Sequence, residues 1–284
     1  MAASASIKVS TTSSRRKAAG GKRLQASQNI YLPVLLGILI VILWQSGILA
    51  RLLNATDFVL PRPTKIASIY SDIRADVWAN IRLTASVAVL GLIIGSLIGY
   101  GAAVLAAIFP NVGGGGLAVV GAFASIPIVA LAPVLNNWTR SVSKDAEVRS
   151  FVSKTIVVIL ICAADMGLNA YRGLTELPPF AEDLMHTYAA TRRTTFIKLR
   201  LPNSVPFVFT ALKISVPACI MTAIVAEYFA EYVGGVGREI RENIVMAQYA
   251  TAWVYIMVAC AMGIVFYAVL MLIKSIAMRN YHLS

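Results

Sequence analysis

The 284-residue chain is 58% hydrophobic and only 13% charged, about half the ~25% charge of an ordinary soluble domain. Apolar runs of ~18 or more residues recur along it, the length that crosses a ~30 Å hydrocarbon layer, and the mean hydropathy is +0.74, so a soluble globular protein is excluded. A net charge of +12 invites a nucleic-acid reading, but the basic residues cap apolar runs and form no aromatic-interleaved patch, so no nucleic-acid partner is expected.

In chain order, residues 1–29 are rich in Ser, Thr, Ala and Gly and carry the basic cluster Arg15, Arg16, Lys17, Lys22 and Arg23. They read as a disordered basic cytoplasmic tail. Residues 30–284 then form one transmembrane domain. The first apolar run, about Ile30 to Ala50, is long for a signal-peptide core and lacks a small-x-small cleavage site, so it reads as a retained helix. Further spans are expected at about Leu83–Ile108, Leu117–Leu135, Phe151–Leu168, Pro206–Phe229 and Ala252–Ile273. The chain is thus expected to be all-α with about six crossings. Pro110 with Gly113 to Gly116 reads as the turn between the second and third spans. Gly91, Gly95 and Gly99 share one helix face, a stripe suited to close helix packing. An even number of crossings and a small excess of Lys and Arg in the inner loops place both termini in the cytoplasm.

Cys162, Cys219 and Cys260 all fall in apolar segments and read as small apolar side chains, with neither a disulfide framework nor zinc spacing. His186 and His282 are too scattered for a metal site. No paired histidines or acids suggest catalysis, so an enzyme is not expected.

The largest inner loop, about residues 169–205, carries the most information. Phe180, Leu184, Met185 and Tyr188 fall on one face of a short helix, with Glu182, Asp183, His186 and Thr187 opposite. A basic segment from Thr191 to Arg200 follows, closed by Pro202. From pattern alone, the apolar face either docks in a partner's groove or lies on lipid head groups, which Arg192, Arg193 and Lys198 also favour.

The stretch Gly173 to Ile214, GLTELPPFAEDLMHTYAATRRTTFIKLRLPNSVPFVFTALKI, resembles the conserved cytoplasmic loop of binding-protein-dependent permeases of ATP-binding-cassette (ABC) importers. It looks most like the subfamily for nitrate, sulfonate, taurine and bicarbonate. AATRRTTFIKLRLP is similar to that family's Gly-Ala-Ser-Arg, Phe-Lys and Leu-Pro sequence. LPRPTKI (Leu60 to Ile66), IPIVALAPVLNNW (Ile126 to Trp138) and VAEYF (Val225 to Phe229) resemble three further family segments in the same order. There are departures. Ala189 replaces the family's glycine, so the turn there is expected not to rely on a left-handed glycine. Thr139 to Ser153 is longer and more charged than the usual link.

The resemblance implies a type I ABC importer permease in a bacterial inner membrane. Phe180, Glu182, Asp183, Leu184, Met185, Tyr188, Ala189, Ala190, Thr191, Arg192, Lys198, Leu201 and Pro202 would contact the ATPase. The implied partners are two cytoplasmic ATP-binding subunits, a second permease copy or close paralogue, an external substrate-binding protein and membrane lipids. No GxxxxGK[ST] phosphate loop exists here, since Gly21-Lys22 is followed by Arg23 and preceded at position 16 by Arg, so ATP and Mg belong to those partner subunits. The solute expected is a small oxyanion, sulfonate or carboxylate, with a pyrimidine- or flavin-type vitamin precursor as the alternative. Path candidates are Asn136, Asp165, Lys213 and Glu227. Asp165 either lines the path or pairs with Arg172 or a neighbouring helix. Lys213 snorkels, pairs or meets solute, and Glu227 has a structural reading beside the path one.

Overall fold

The computed structural model describes residues 31–123, 125–141, 143–229 and 233–279. The basic tail therefore lies outside the described residues. All regular structure within them is helical.

The chain divides into two units at Ala67/Ser68. In the first, α1 (Tyr31–Gln45) exposes Leu32, Leu35, Leu36 and most of its other large apolar side chains, as a lipid-facing helix does. It ends at Gly47, whose φ of 74° breaks the expected Ile30–Ala50 run, and a short α2 (Ile48–Leu52) follows. Trp44 Nε1 donates to the Pro61 carbonyl (3.0 Å), and Gln45 and Thr64 bond to each other through side chain and backbone. These contacts hold the Leu60–Ile66 segment against the end of α1. Pro63 then opens α3 (Pro63–Asp72), a first-turn position where its missing N–H costs nothing.

The second unit is built on α4 (Arg74–Ile108), α7 (Ala146–Thr175) and α10 (Leu201–Phe229). Together with α12 (Tyr249–Arg279) they supply four helices long and apolar enough to cross a membrane. The glycine stripe sets their packing. A Cβ at Gly95 would fall 2.7 Å from Cys162 Cβ and 2.8 Å from the Ile159 carbonyl, Gly91 abuts Val158, and Gly99 abuts the Ala163 backbone. Residue numbers rise together along both helices, so α4 and α7 are parallel. α10 runs the other way: Asn203 meets Gly173 while Glu227 meets Lys154.

Two parallel neighbours require a return between them, and the return is broken. α5 (Pro110–Phe123) and α6 (Ile128–Trp138) replace the single span expected at Leu117–Leu135. At 1.5 Å per residue they are about 21 and 17 Å long, and neither crosses ~30 Å alone. Gly121 lies against Leu168 and Leu135 packs near Val157, so the pair does travel back along α7. The break is physical: Pro127 has no N–H and sits extended (φ −60°, ψ 121°) as the residue before α6. The turn expected at Gly113 to Gly116 is also corrected. The chain turns at Phe109, Pro110 starts α5, and the glycines are helical, with Gly113 pressed onto the Ala106 backbone.

Cys162 and Cys219 are joined as a disulfide between α7 and α10, with Cα atoms 6.8 Å apart, where unbridged cysteines were expected. Antiparallel α7 and α10 bring together two residues 57 positions apart, a juxtaposition no spacing rule contains. Of the three, Cys260 is free and exposed.

Candidate coupling surface and the buried tie opposite it

One end of the second unit carries the loop singled out above. α7 ends at Thr175, and Asn203 Nδ2 donates to the Gly173 (2.8 Å) and Glu176 (3.0 Å) carbonyls, satisfying acceptors that a helix end leaves open. Gly173 permits this closure, since a Cβ there would lie 2.8 Å from Ser204 Cα. From that base the chain reaches α8 (Ala181–Thr187).

Two left-handed residues bracket α8: Phe180 at φ 63° and Ala189 at φ 49°. Such conformations cost about 1–2 kcal/mol for a residue bearing a Cβ. The Ala189 expectation is therefore overturned: the turn keeps the left-handed conformation and bears its cost on alanine. Phe180 is 81% exposed, Tyr188 76% and Leu184 57%. Met185 is half-buried, while Glu182 and Asp183 are exposed in the first turn, where carboxylates suit the positive end of a helix. Glu182 is held by Arg200. The predicted apolar face thus exists, and much of it lies open.

Ala190 is half-buried, and Thr191 caps the following helix, α9 (Arg192–Thr195), by accepting from the Thr194 amide (3.3 Å). Pro202 does not close the segment. Arg192 to Phe229 is one continuous helix of 38 residues, carrying a π turn over Phe196–Arg200 that includes Lys198 and abuts Leu201. A proline clashes with the carbonyl four residues back, and a widened turn placed just before Pro202 relieves that clash.

The opposite end holds a cluster whose lysine sequence reasoning missed. Lys154, buried in α7, lies 3.5 Å from Glu227 of α10, and the two side chains are 1% and 0% exposed. Glu227 also accepts from Thr84 Oγ1 (3.0 and 3.1 Å) and from the Gly237 amide (2.9 Å). Lys154 donates to the Gly234 (2.9 Å) and Val233 (3.3 Å) carbonyls. Asn80 Oδ1 accepts from the Gly235 amide (2.8 Å). Gly234 and Gly235 have φ of 68° and 108°, and at Gly235 a Cβ would collide with the Glu227 carboxylate. The cluster ties α4, α7 and α10 to the turn that starts α11 (Val236–Val245). A lone lysine in an apolar run was the available signal, because an ionisable group in a span demands a partner. On α11, outside the spans, burial and then the neighbouring Glu242 carboxylate hold the Glu239 carboxyl above its ordinary value.

The path candidates are scattered. Glu227 is enclosed in this tie and presents no surface. Asp165 is half-buried and accepts from Ser215 Oγ (3.4 Å) rather than from Arg172. Lys213 lies beside Lys274 of α12. Asn136 is half-buried near the end of α6. In the charged link, Asp145 caps α7 by accepting from the Glu147 amide (2.9 Å).

The chain is similar to several known proteins. A formylaminopyrimidine transport permease protein, ThiX, from Halalkalibacterium halodurans is 27% identical over 206 residues, covering 69% of this chain and 74% of that protein. A probable ABC transporter permease protein of Haemophilus influenzae is 24% identical over 196 residues, covering 69% and 76%. An inward-facing structure of the MetNI methionine ABC transporter aligns at 17% identity and a TM-score of 0.49, covering 70% of this chain and 94% of that one. Residues 95–282, which include the α8 loop, the continuous helix beyond it and Glu227, match the family described as binding-protein-dependent transport system inner membrane component, and the chain belongs to that family.

Proposed function

We propose that this permease passes a small solute across a bacterial inner membrane, driven by ATP-binding subunits that dock on α8. The observation that carries the docking role is Phe180, a bulky residue held left-handed and 81% exposed. Strain and solvent-facing apolar area at one point are what a surface awaiting a partner combines. In this reading α8 lies in the cytoplasm with both termini, and two ATPase subunits hold ATP and Mg. A second permease copy completes the path, and an external binding protein delivers the solute. Asp183, Leu184 and Tyr188 make the docking contacts, while Glu182 fixes α8 to Arg200 and hence to the α10 shaft.

For the solute, similarity to a formylaminopyrimidine permease supports a pyrimidine-type vitamin precursor. The four sequence segments described above support a small anion such as a sulfonate or nitrate. A ligand screen on the accompanying binding protein separates the two.

The docking test is the pair Asp183→Arg with Leu184→Arg. Both side chains are exposed, so insertion and folding persist while solute transport is lost and ATP hydrolysis proceeds uncoupled. Unaltered transport in that variant rules the docking role out.

A further inference from the structure

Beside α8 lies a cavity of about 760 Å³ whose lining includes none of Asp183, Leu184 and Tyr188, the proposed docking contacts. Its inner wall is apolar, formed by Ile108 at the end of α4 together with Phe196 and Ile197 from the π turn. Its lining is cationic on balance, with Arg192, Arg193 and Arg200 against the single acid Glu182. Arg200 is engaged by Glu182. Arg192 and Arg193 are exposed, and among the described residues neither has an ion-pair partner.

The cavity sits where α4 and α7 both end, at Ile108 and Thr175, just past the apolar stretch of each span, where a spanning helix leaves the hydrocarbon. A free anion would gain nothing from the apolar wall, and a neutral lipid nothing from the arginines. Only an amphiphile with an anionic head satisfies both, and basic pockets between spans at the membrane surface are suited to phosphate head groups.

We infer that this cavity is a binding site for one anionic phospholipid, its phosphate at Arg192 and Arg193 and its upper acyl chains against Ile108, Phe196 and Ile197. The inference stands apart from ATPase docking, because Asp183, Leu184 and Tyr188 do not line this cavity.

The test uses the purified full-length chain in detergent, offered equal amounts of phosphatidylglycerol and phosphatidylcholine and read by native mass spectrometry. Two arginines at about 1 kcal/mol each correspond to about a thirtyfold preference for the anionic lipid. One phosphatidylglycerol is retained preferentially, and the preference collapses in the R192Q/R193Q chain. On the unaltered chain, high salt abolishes the preference while leaving phosphatidylcholine retention unchanged, which keeps the test decisive if the double variant misfolds. Equal retention of both lipids, or a preference indifferent to salt or to the substitutions, overturns the site. Displacement of the lipid by millimolar inorganic phosphate overturns it in favour of a soluble anion.

Discussion

Removing either partner of the Lys154–Glu227 pair is expected to be among the costliest single changes in the chain. With Lys154→Met, the fully buried carboxylate keeps the Thr84 hydroxyl and the Gly237 amide but loses its countercharge. With Glu227→Gln, the ammonium keeps the Gly234 and Val233 carbonyls but loses the Glu227 carboxylate. An uncompensated buried charge costs about 3–5 kcal/mol, so each single variant should lose that much. The double variant K154M/E227Q leaves no charge behind and loses only hydrogen bonds, about 1–2 kcal/mol. The two changes are therefore strongly non-additive, with the double variant at least ~3 kcal/mol better than the sum of the singles. The assay is reversible unfolding in mixed micelles titrated with sodium dodecyl sulfate and followed by tryptophan fluorescence. Single losses under ~1 kcal/mol, or a double variant equal to the sum, would refute the claim that the pair is one dry unit.

Two further outcomes follow from backbone and charge. Ala189→Gly removes a side chain from a left-handed position and should firm the turn by about 0.5–1 kcal/mol, seen as slower hydrogen exchange at the Tyr188 to Thr191 amides; faster exchange contradicts the strain. Glu239 binds its proton more tightly folded than unfolded, because burial and Glu242 raise its folded value above the ordinary 4.5. Stability is thus fullest below that value and declines as pH climbs through the folded one. In Glu239→Gln the melting temperature should no longer fall across this window; an unchanged decline assigns it to another group.

Legibility followed the range of the interaction. α4, α7, α10 and α12 were readable because ~20 apolar residues have few alternatives to spanning a bilayer. The glycine stripe was readable because its period is local. The α8 face was readable for the same reason, but its two left-handed ends were not, since Phe180 and Ala189 are residues that ordinarily avoid that conformation. The broken return was hidden inside one apolar run, where Ser125 to Pro127 carried the only mark. The lone lysine in α7 was a mark that it needs a partner, but which partner, like the Cys162–Cys219 bridge, was hidden for a different reason: each joins α7 to α10 across a separation that only the antiparallel packing makes short.

The unbroken helix from Arg192 to Phe229 has a consequence for how motion travels. Its 38 residues make a rod about 57 Å long, with α8 clamped near one tip through Glu182 and Arg200 and the charged knot at Glu227 near the other. The π turn over Phe196–Arg200 and the interior prolines Pro206 and Pro217 are the places where such a rod bends. A tilt of α8 therefore reaches the charged knot at Glu227 through those bends, and stiffening them would tighten the link between the two ends of the helix.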